Sequence, residues 1–194
     1  MYGILATLVE REDELSAETR KELLRVGYEQ GERLRRLLEQ LLDLSRLDAR
    51  SIDVRPTSLA LGPVLTGIVA EVVPQGTPVR LEVEPDLAAV ADPVTLDRVV
   101  SNLLINAMRY GRPPIKVSAG REDGKLRIAV EDSGEGVPEE LRPHLFERFT
   151  RGGDARGSGL GLAIARSYAE AHGGELLYEP GATGARFELV LPQP

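Results

Sequence analysis

Lys125-Leu126-Arg127-Ile128-Ala129-Val130-Glu131, followed at once by Asp132-Ser133-Gly134-Glu135-Gly136, decides how this chain is read. The first seven residues alternate apolar with polar, the period-two pattern of a strand with one buried and one wet face. Strands of that kind build a mixed or antiparallel sheet covered by helices on one side. Working outward, the same reasoning predicts strands over Val79–Val83, Ile115–Ala119, Leu126–Glu131, Glu175–Tyr178 and Phe187–Leu191. Helical spacing predicts helices over Val64–Val72, Pro93–Tyr110 and Leu160–His172, with a short helical turn near Pro138–Leu141. The expected fold class is therefore α/β, a two-layer sandwich of a mixed sheet covered by helices, over residues 52–194.

Residues 1–51 have a different texture. No proline falls between Arg20 and Asp48, and Leu34, Leu37, Leu38, Leu41, Leu42 and Leu44 follow helical spacing. That apolar stripe is wider than a two-stranded seam and suits a helix packed in a bundle. Ile4, Leu5, Leu8 and Val9 mark a shorter helix ahead of it. The acidic stretch through Glu14 and a start signal at Ser16 divide the two into a helical hairpin, which Pro56 is expected to close. A generic amphipathic helix pair has the same pattern, so this segment alone names no function.

Bulk properties exclude several classes. The net charge of −7 argues against a general nucleic-acid binder, whose affinity comes from clustered Lys and Arg. With no cysteine there is no disulfide, thiolate zinc site or cysteine nucleophile, which fits a reducing cytoplasm. No apolar run approaches the roughly 20 residues that span a bilayer, and no signal-peptide pattern opens the chain.

Three short constellations carry chemistry. Asp132-Ser133-Gly134-Glu135-Gly136 reads either as a turn or as an adenine reader. In the second reading Asp132 accepts from the exocyclic amine, and Gly134 and Gly136 let backbone approach the base without a Cβ in the way. Gly157-Ser158-Gly159-Leu160-Gly161-Leu162 precedes a helical pattern, where exposed N–H donors and the helix dipole suit phosphate oxygens. It has no Lys-Ser/Thr of a P-loop and no strand directly before it as a Rossmann turn needs. Asn102 and Asn106 lie four apart on a helix and share one face, with Leu103 and Leu104 toward the core. They read as a surface polar stripe or as amide ligands for Mg²⁺, a cation that prefers oxygen.

In order and context these segments resemble the N, G1, F and G2 boxes of the histidine-kinase catalytic domain. That domain belongs to the Bergerat-type ATPase superfamily shared with DNA gyrase B and MutL. Asn102 to Tyr110 is similar to the N box, Asp132 to Gly136 to G1, Leu145-Phe146-Glu147-Arg148-Phe149 to the F box, and Gly157 to Leu162 to G2. Ala171-His172-Gly173-Gly174 and Phe187 to Pro192 also match in place, so the resemblance covers about residues 53–194. Leu38 to Leu47 resembles the end of the second dimerisation helix, and Met1 to Leu8 the first helix just after the histidine box.

The resemblance implies binding of ATP with Mg²⁺. By it, Asp132 reads adenine, Asn106 ligates Mg²⁺, Arg109 touches phosphate and Tyr110 lines the nucleotide pocket. Gly134, Gly136, Gly157, Gly159, Leu160, Gly161 and Leu162 would complete the pocket. ATP-hydrolysing relatives carry a glutamate base at the position of Asn102; an amide accepts no proton at neutral pH, so transfer to a protein nucleophile is expected over hydrolysis. The acceptor histidine, in a His-Glu-Leu-Arg-x-Pro context, occurs nowhere here and by the family pattern would precede Met1. His172 is read as a helix-end residue favoured by the dipole, and His144 as a solvent-side residue; neither has an adjacent carboxylate in sequence to serve as base. Two departures stand out: only Thr150 to Arg156 separate Phe149 from Gly157, a short lid in which Arg151 and Arg156 are candidate phosphate contacts, and Ala185 stands where relatives often carry a Thr. The implied partners are a second copy through the dimerisation helices and a downstream response regulator, in the cytoplasmic part of a sensor. Two alternatives are a nucleotide-dependent protein-binding module and an anti-sigma-type serine kinase. The hairpin argues against the latter.

Overall fold

The computed structural model describes residues 15–48, 52–150, 152, 158–181 and 183–194. The chain divides into two compact units, Met1–Ser45 and Arg46–Pro194. Helix α1 runs over Ala17–Asp48. Ser16 starts it as the sequence suggests: its Oγ accepts the Thr19 N–H at 3.1 Å, a side-chain N-cap. Leu24, Tyr28, Leu34, Leu38 and Leu42 are each more than half exposed, so these apolar side chains of the helix face outward. The shorter helix around Ile4 to Val9 lies outside the described residues. The helix is already complete by Asp48, and Pro56 sits in extended chain, so Pro56 does not end it.

The second unit is the expected two-layer sandwich. Its elements are β1 (Thr57–Ala60), α2 (Leu61–Val72), β2 (Val79–Val83), β3 (Ala88–Ala91), α3 (Pro93–Tyr110), β4 (Ile115–Glu122), β5 (Lys125–Glu131), a 3-10 turn (Glu139–His144), α4 (Gly161–Ala171), β6 (Glu175–Pro180) and β7 (Ala185–Pro192). The main sheet has the order β2-β4-β5-β7-β6; β2 and β4 are parallel and the other pairs antiparallel. Helix α3 packs against α2, α4 and the sheet. The core lies between these layers, built from Leu61, Leu65, Leu96, Leu103, Leu104, Ile128, Ile164 and Leu189, all fully buried.

Three features differ from the sequence reading. A small antiparallel sheet, β1 with β3, was not foreseen. Its strands read Thr-Ser-Leu-Ala and Ala-Ala-Val-Ala, too short and alanine-rich to signal a strand locally. Helix α2 begins at Leu61, not Val64, because Pro63 sits in its first turn, where the missing N–H would have no helical partner anyway. The wet face of the sheet is also less wet than alternation implies. Glu188 is 5% exposed there, with Oε2 accepting from Arg127 at 2.6 Å and Oε1 from Arg186 at 2.7 Å.

Candidate functional site

Asp132 follows β5 directly and is 4% exposed. Its backbone N–H donates to the Ala185 carbonyl at 3.0 Å and the next N–H, Ser133, to the Arg112 carbonyl at 2.9 Å, which pins the loop between β7 and the exit of α3. Its Oδ1 accepts the Gly134 N–H at 2.8 Å. Oδ2 has no hydrogen-bond partner among the described residues.

Three glycines wall this carboxyl group. A Cβ on Gly111 would overlap the Asp132 side chain, one on Gly184 would overlap the Asp132 carbonyl oxygen, and one on Gly134 would stand 2.9 Å from Oδ1. Gly136 adopts φ 76°, the left-handed region that glycine enters without strain. Gly134 is therefore required by the packing of Asp132 itself, a reason sequence reasoning did not supply. Gly111 and Gly184 were missed altogether. Gly111 reads as an ordinary residue past a helix end, and Gly184 is brought to Asp132 only by strand pairing.

Helix α3 carries the N-box residues. Asp92 caps its N-terminus and Pro93 occupies the first turn. Leu103 and Leu104 are fully buried, while Asn102 and Asn106 are half-buried on a common face, as their spacing predicts. Asn102 Nδ2 donates to the Arg98 carbonyl at 2.7 Å, so its Oδ1 faces away from the helix backbone. That oxygen lies 3.0 Å from where a Cβ on Gly161 would be, so the N box and the G2 helix meet there. Asn106 has no side-chain partner among the described residues. Arg109 and Tyr110 are exposed in the last turn.

Helix α4 starts at Gly161 after Leu160, which is buried and makes no side-chain cap bond. Among the described residues its first-turn N–H groups have no side-chain cap at the positive end of the dipole. Leu162 is half-buried in the same turn. Gly159, at φ 69°, presses against the F box: a Cβ there would lie 2.6 Å from the Phe149 carbonyl carbon, and its carbonyl accepts the Phe149 N–H at 2.8 Å. The F box is anchored by Phe146, whose ring meets Phe187 edge-on at 6.5 Å and lies under the Arg166 guanidinium at 5.5 Å. Phe149 itself is 62% exposed. Gly157, Arg151 and Arg156 lie outside the described residues.

The histidines differ from their sequence reading. His144 is solvent-exposed as expected, but Glu147 Oε1 lies 3.0 Å from its Nδ1, so a carboxylate does stand beside it, one helical turn on. His172 follows α4 as expected, yet its Nε2 accepts the Asp92 N–H at 3.0 Å. In this bond the ring is the acceptor, a role beyond that of a helix-end residue. Asp92 is buried, which works to raise its pKa, but the Thr95 and Arg55 backbone N–H groups it accepts outweigh that and hold it below the ordinary value.

The histidine kinase-, DNA gyrase B- and HSP90-like ATPase family matches residues 91–194. The chain belongs to that family, as an ATP-binding catalytic domain of the sensor histidine kinase type. The signal transduction histidine-protein kinase AfsQ2 of Streptomyces coelicolor is 35% identical over 175 residues, which cover 88% of this chain and 32% of AfsQ2. Full-length ShkA in complex with AMPPNP superposes with a TM-score of 0.76 at 28% identity, over 92% of this chain and 40% of ShkA. The ATP-binding domain of PrrB from Mycobacterium tuberculosis superposes with a TM-score of 0.59 at 31% identity, over 72% of this chain and 98% of that domain. The chain spans between about a third and a half of the length of AfsQ2 and of two other sensor histidine kinases it matches. Among the described residues, no helix is long and apolar enough to cross a membrane.

Proposed function

We propose that residues 52–194 bind Mg²⁺-ATP and donate its γ-phosphoryl group to a histidine on a dimerisation hairpin, of which residues 1–51 are a part. The observation that carries this reading is Asp132: a buried carboxyl group, walled by glycines, with one oxygen committed to Gly134 and the other left to accept. Such a group matches the exocyclic amine of adenine. The N–H groups at the head of α4, from Gly161 and Leu162, with Gly157, Gly159 and Leu160 before them in sequence, suit phosphate oxygens. Arg109 and Tyr110 border the same end of α3.

The metal reading fits the residues present. No cluster of three acidic or histidine ligands occurs among the described residues, so an Mg²⁺ ion would be held by phosphate oxygens, water and the Asn106 amide oxygen. That is the sparse protein ligation Mg²⁺ favours. When bound, the ion neutralises charge on the phosphate oxygens. Asn102 offers no proton acceptor for water, because its amide oxygen is not basic, which favours transfer to a protein nucleophile over hydrolysis. The outward-facing leucines of α1 support pairing with a second hairpin. A response regulator as the eventual recipient follows from the family.

The test is phosphotransfer. The chain is incubated with [γ-³²P]ATP, Mg²⁺ and a separately supplied dimerisation segment bearing the histidine box. Acid-labile, alkali-stable label on that segment is expected. ATP binding without transfer would favour a nucleotide-controlled docking module, and acid-stable label a serine kinase.

A further inference from the structure

Pro113 and Pro114 remove two N–H donors from the loop that leads out of α3 into β4. That loop runs beside the one bearing Asp132, and the alignment of β4 with β5 shows how. Lys116 stands opposite Glu131. Two residues further out on each chain segment the same alignment sets Pro114 opposite Ser133, and four further out it sets Arg112 opposite Glu135. A main-chain ladder would continue here with donors from both sides, but the two prolines have none to give.

Ser133 supplies donors from the opposite side. Its N–H donates to the Arg112 carbonyl at 2.9 Å and its Oγ–H to the Pro114 carbonyl at 3.0 Å, so it grips the loop on both sides of Pro113. The next pair outward is joined by side chains, Arg112 Nη2 to Glu135 Oε1 at 2.8 Å; both are exposed, so water weakens that contact. The gripped loop begins at Gly111, whose own N–H donates to the Ala107 carbonyl at 3.0 Å as the C-cap of α3. A Cβ on Gly111 would lie 2.3 Å from Asp132 Cγ, and one on Gly134 would lie 2.9 Å from the Gly111 Cα. Gly111 is therefore a wall of the carboxyl group, and it belongs to the segment that Ser133 holds in place.

We infer that Ser133 is a positioning residue for base binding: by holding the Arg112 and Pro114 carbonyls it keeps Gly111 against Asp132, and so keeps the carboxyl group from turning away. The inference rests on the adenine reading of Asp132 above. The Ser133 hydroxyl is committed to Pro114, so it acts through Asp132 and not on the ligand itself. With the wall in place, Asp132 meets the base already oriented, and binding does not have to order it.

The experiment titrates the full chain with Mg²⁺-ATP and with adenosine, well below each protein's melting temperature. The proteins are wild type, Ser133→Ala, Ser133→Thr, Asp132→Asn and the double variant Ser133→Ala with Asp132→Asn. Losing the hydroxyl should weaken ATP and adenosine alike by about three- to tenfold. Threonine keeps the hydroxyl and should restore most of that affinity. In the Asp132→Asn background the Ser133→Ala change should cost ATP affinity less than about twofold, because the group it positions no longer accepts from the base. Wild-type affinity in Ser133→Ala, an equal loss in both backgrounds, or a lowered melting temperature without a change in affinity would each overturn the inference. A wild-type chain that binds neither ligand, or an Asp132→Asn variant with wild-type affinity, would instead overturn the adenine reading beneath it.

Discussion

Replacing Asp132 by Asn changes one atom and tests the adenine reading directly. The surroundings dictate how the new amide must sit. Oδ1 accepts the Gly134 N–H at 2.8 Å, so the amide oxygen has to stay there; a flipped NH₂ would face another donor. Gly111, Gly134 and Gly184 close around the group with no room for a side-chain atom, which prevents it from swinging away. The NH₂ is therefore forced into the position of Oδ2, donor against the donor amine of adenine. A lost hydrogen bond to a charged group is worth about 1.5–3 kcal/mol, so affinity should fall roughly 10- to 150-fold. Calorimetric titration should show the same factor for ATP and ADP, which share the base, and thermal melting should change little because the Gly134 bond survives. Unchanged affinity in a folded variant would remove Asp132 from the site. A loss for ATP without one for ADP would move its role from the base to the phosphates.

Four further outcomes follow from the same geometry. Asn106→Ala should weaken ATP binding in Mg²⁺ and matter far less in EDTA; an equal loss in both would make Asn106 a packing residue. Asn102→Glu supplies the missing base beside Gly161 and should raise the slow rate of phosphate release, measured with a coupled assay; no increase at all would mean the carboxylate is not what limits hydrolysis. The 194-residue chain should bind ATP yet label itself with γ-phosphate only at background, because one of its two histidines is bonded to Asp92 and the other belongs to the 3-10 turn beside the F box. Strong self-labelling would sink that expectation, and mapping it to His144 would implicate the neighbouring Glu147. Asp92, whose folded pKa is depressed, stabilises the fold above the ordinary aspartate value and loses that contribution as pH falls through its lowered one. Denaturant melts of wild type and Asp92→Asn should therefore converge in acid, and a gap independent of pH would contradict the assignment.

What the sequence made legible was local. The alternation in Lys125–Glu131, the proline at the start of α3 and the four-residue step between Asn102 and Asn106 each depend on neighbours in the chain, and each stands as read. What stayed hidden depends on residues far apart. His172 and Asp92 are eighty residues apart, and no local signal converts a helix-end histidine into an acceptor for a distant N–H. Gly184 looks like loop punctuation until β7 lies beside β5. Glu188 alternates as a wet-face residue should, and only Arg127 from another strand, with Arg186, explains why it is buried. The strands β1 and β3 gain their identity from each other, since neither has the β-branched or aromatic content that marks a strand alone.

The pairing of β5 with β7 has one more consequence. Ala129 stands opposite Glu188 and Glu131 opposite Arg186, and this alignment delivers Gly184 to Asp132. Slippage by two residues would keep every side chain on its proper face, so hydrophobic patterning alone does not forbid it. Slipped in one direction, Glu188 would confront Glu131, a like-charge pair that disfavours the error. Slipped in either direction, a residue with a Cβ would replace Gly184 against the Asp132 carbonyl, where only glycine fits. A misaligned molecule would then keep its sheet, its core and its circular dichroism, and lose the nucleotide: ligand binding in this fold doubles as a proofreading signal for how two strands found each other.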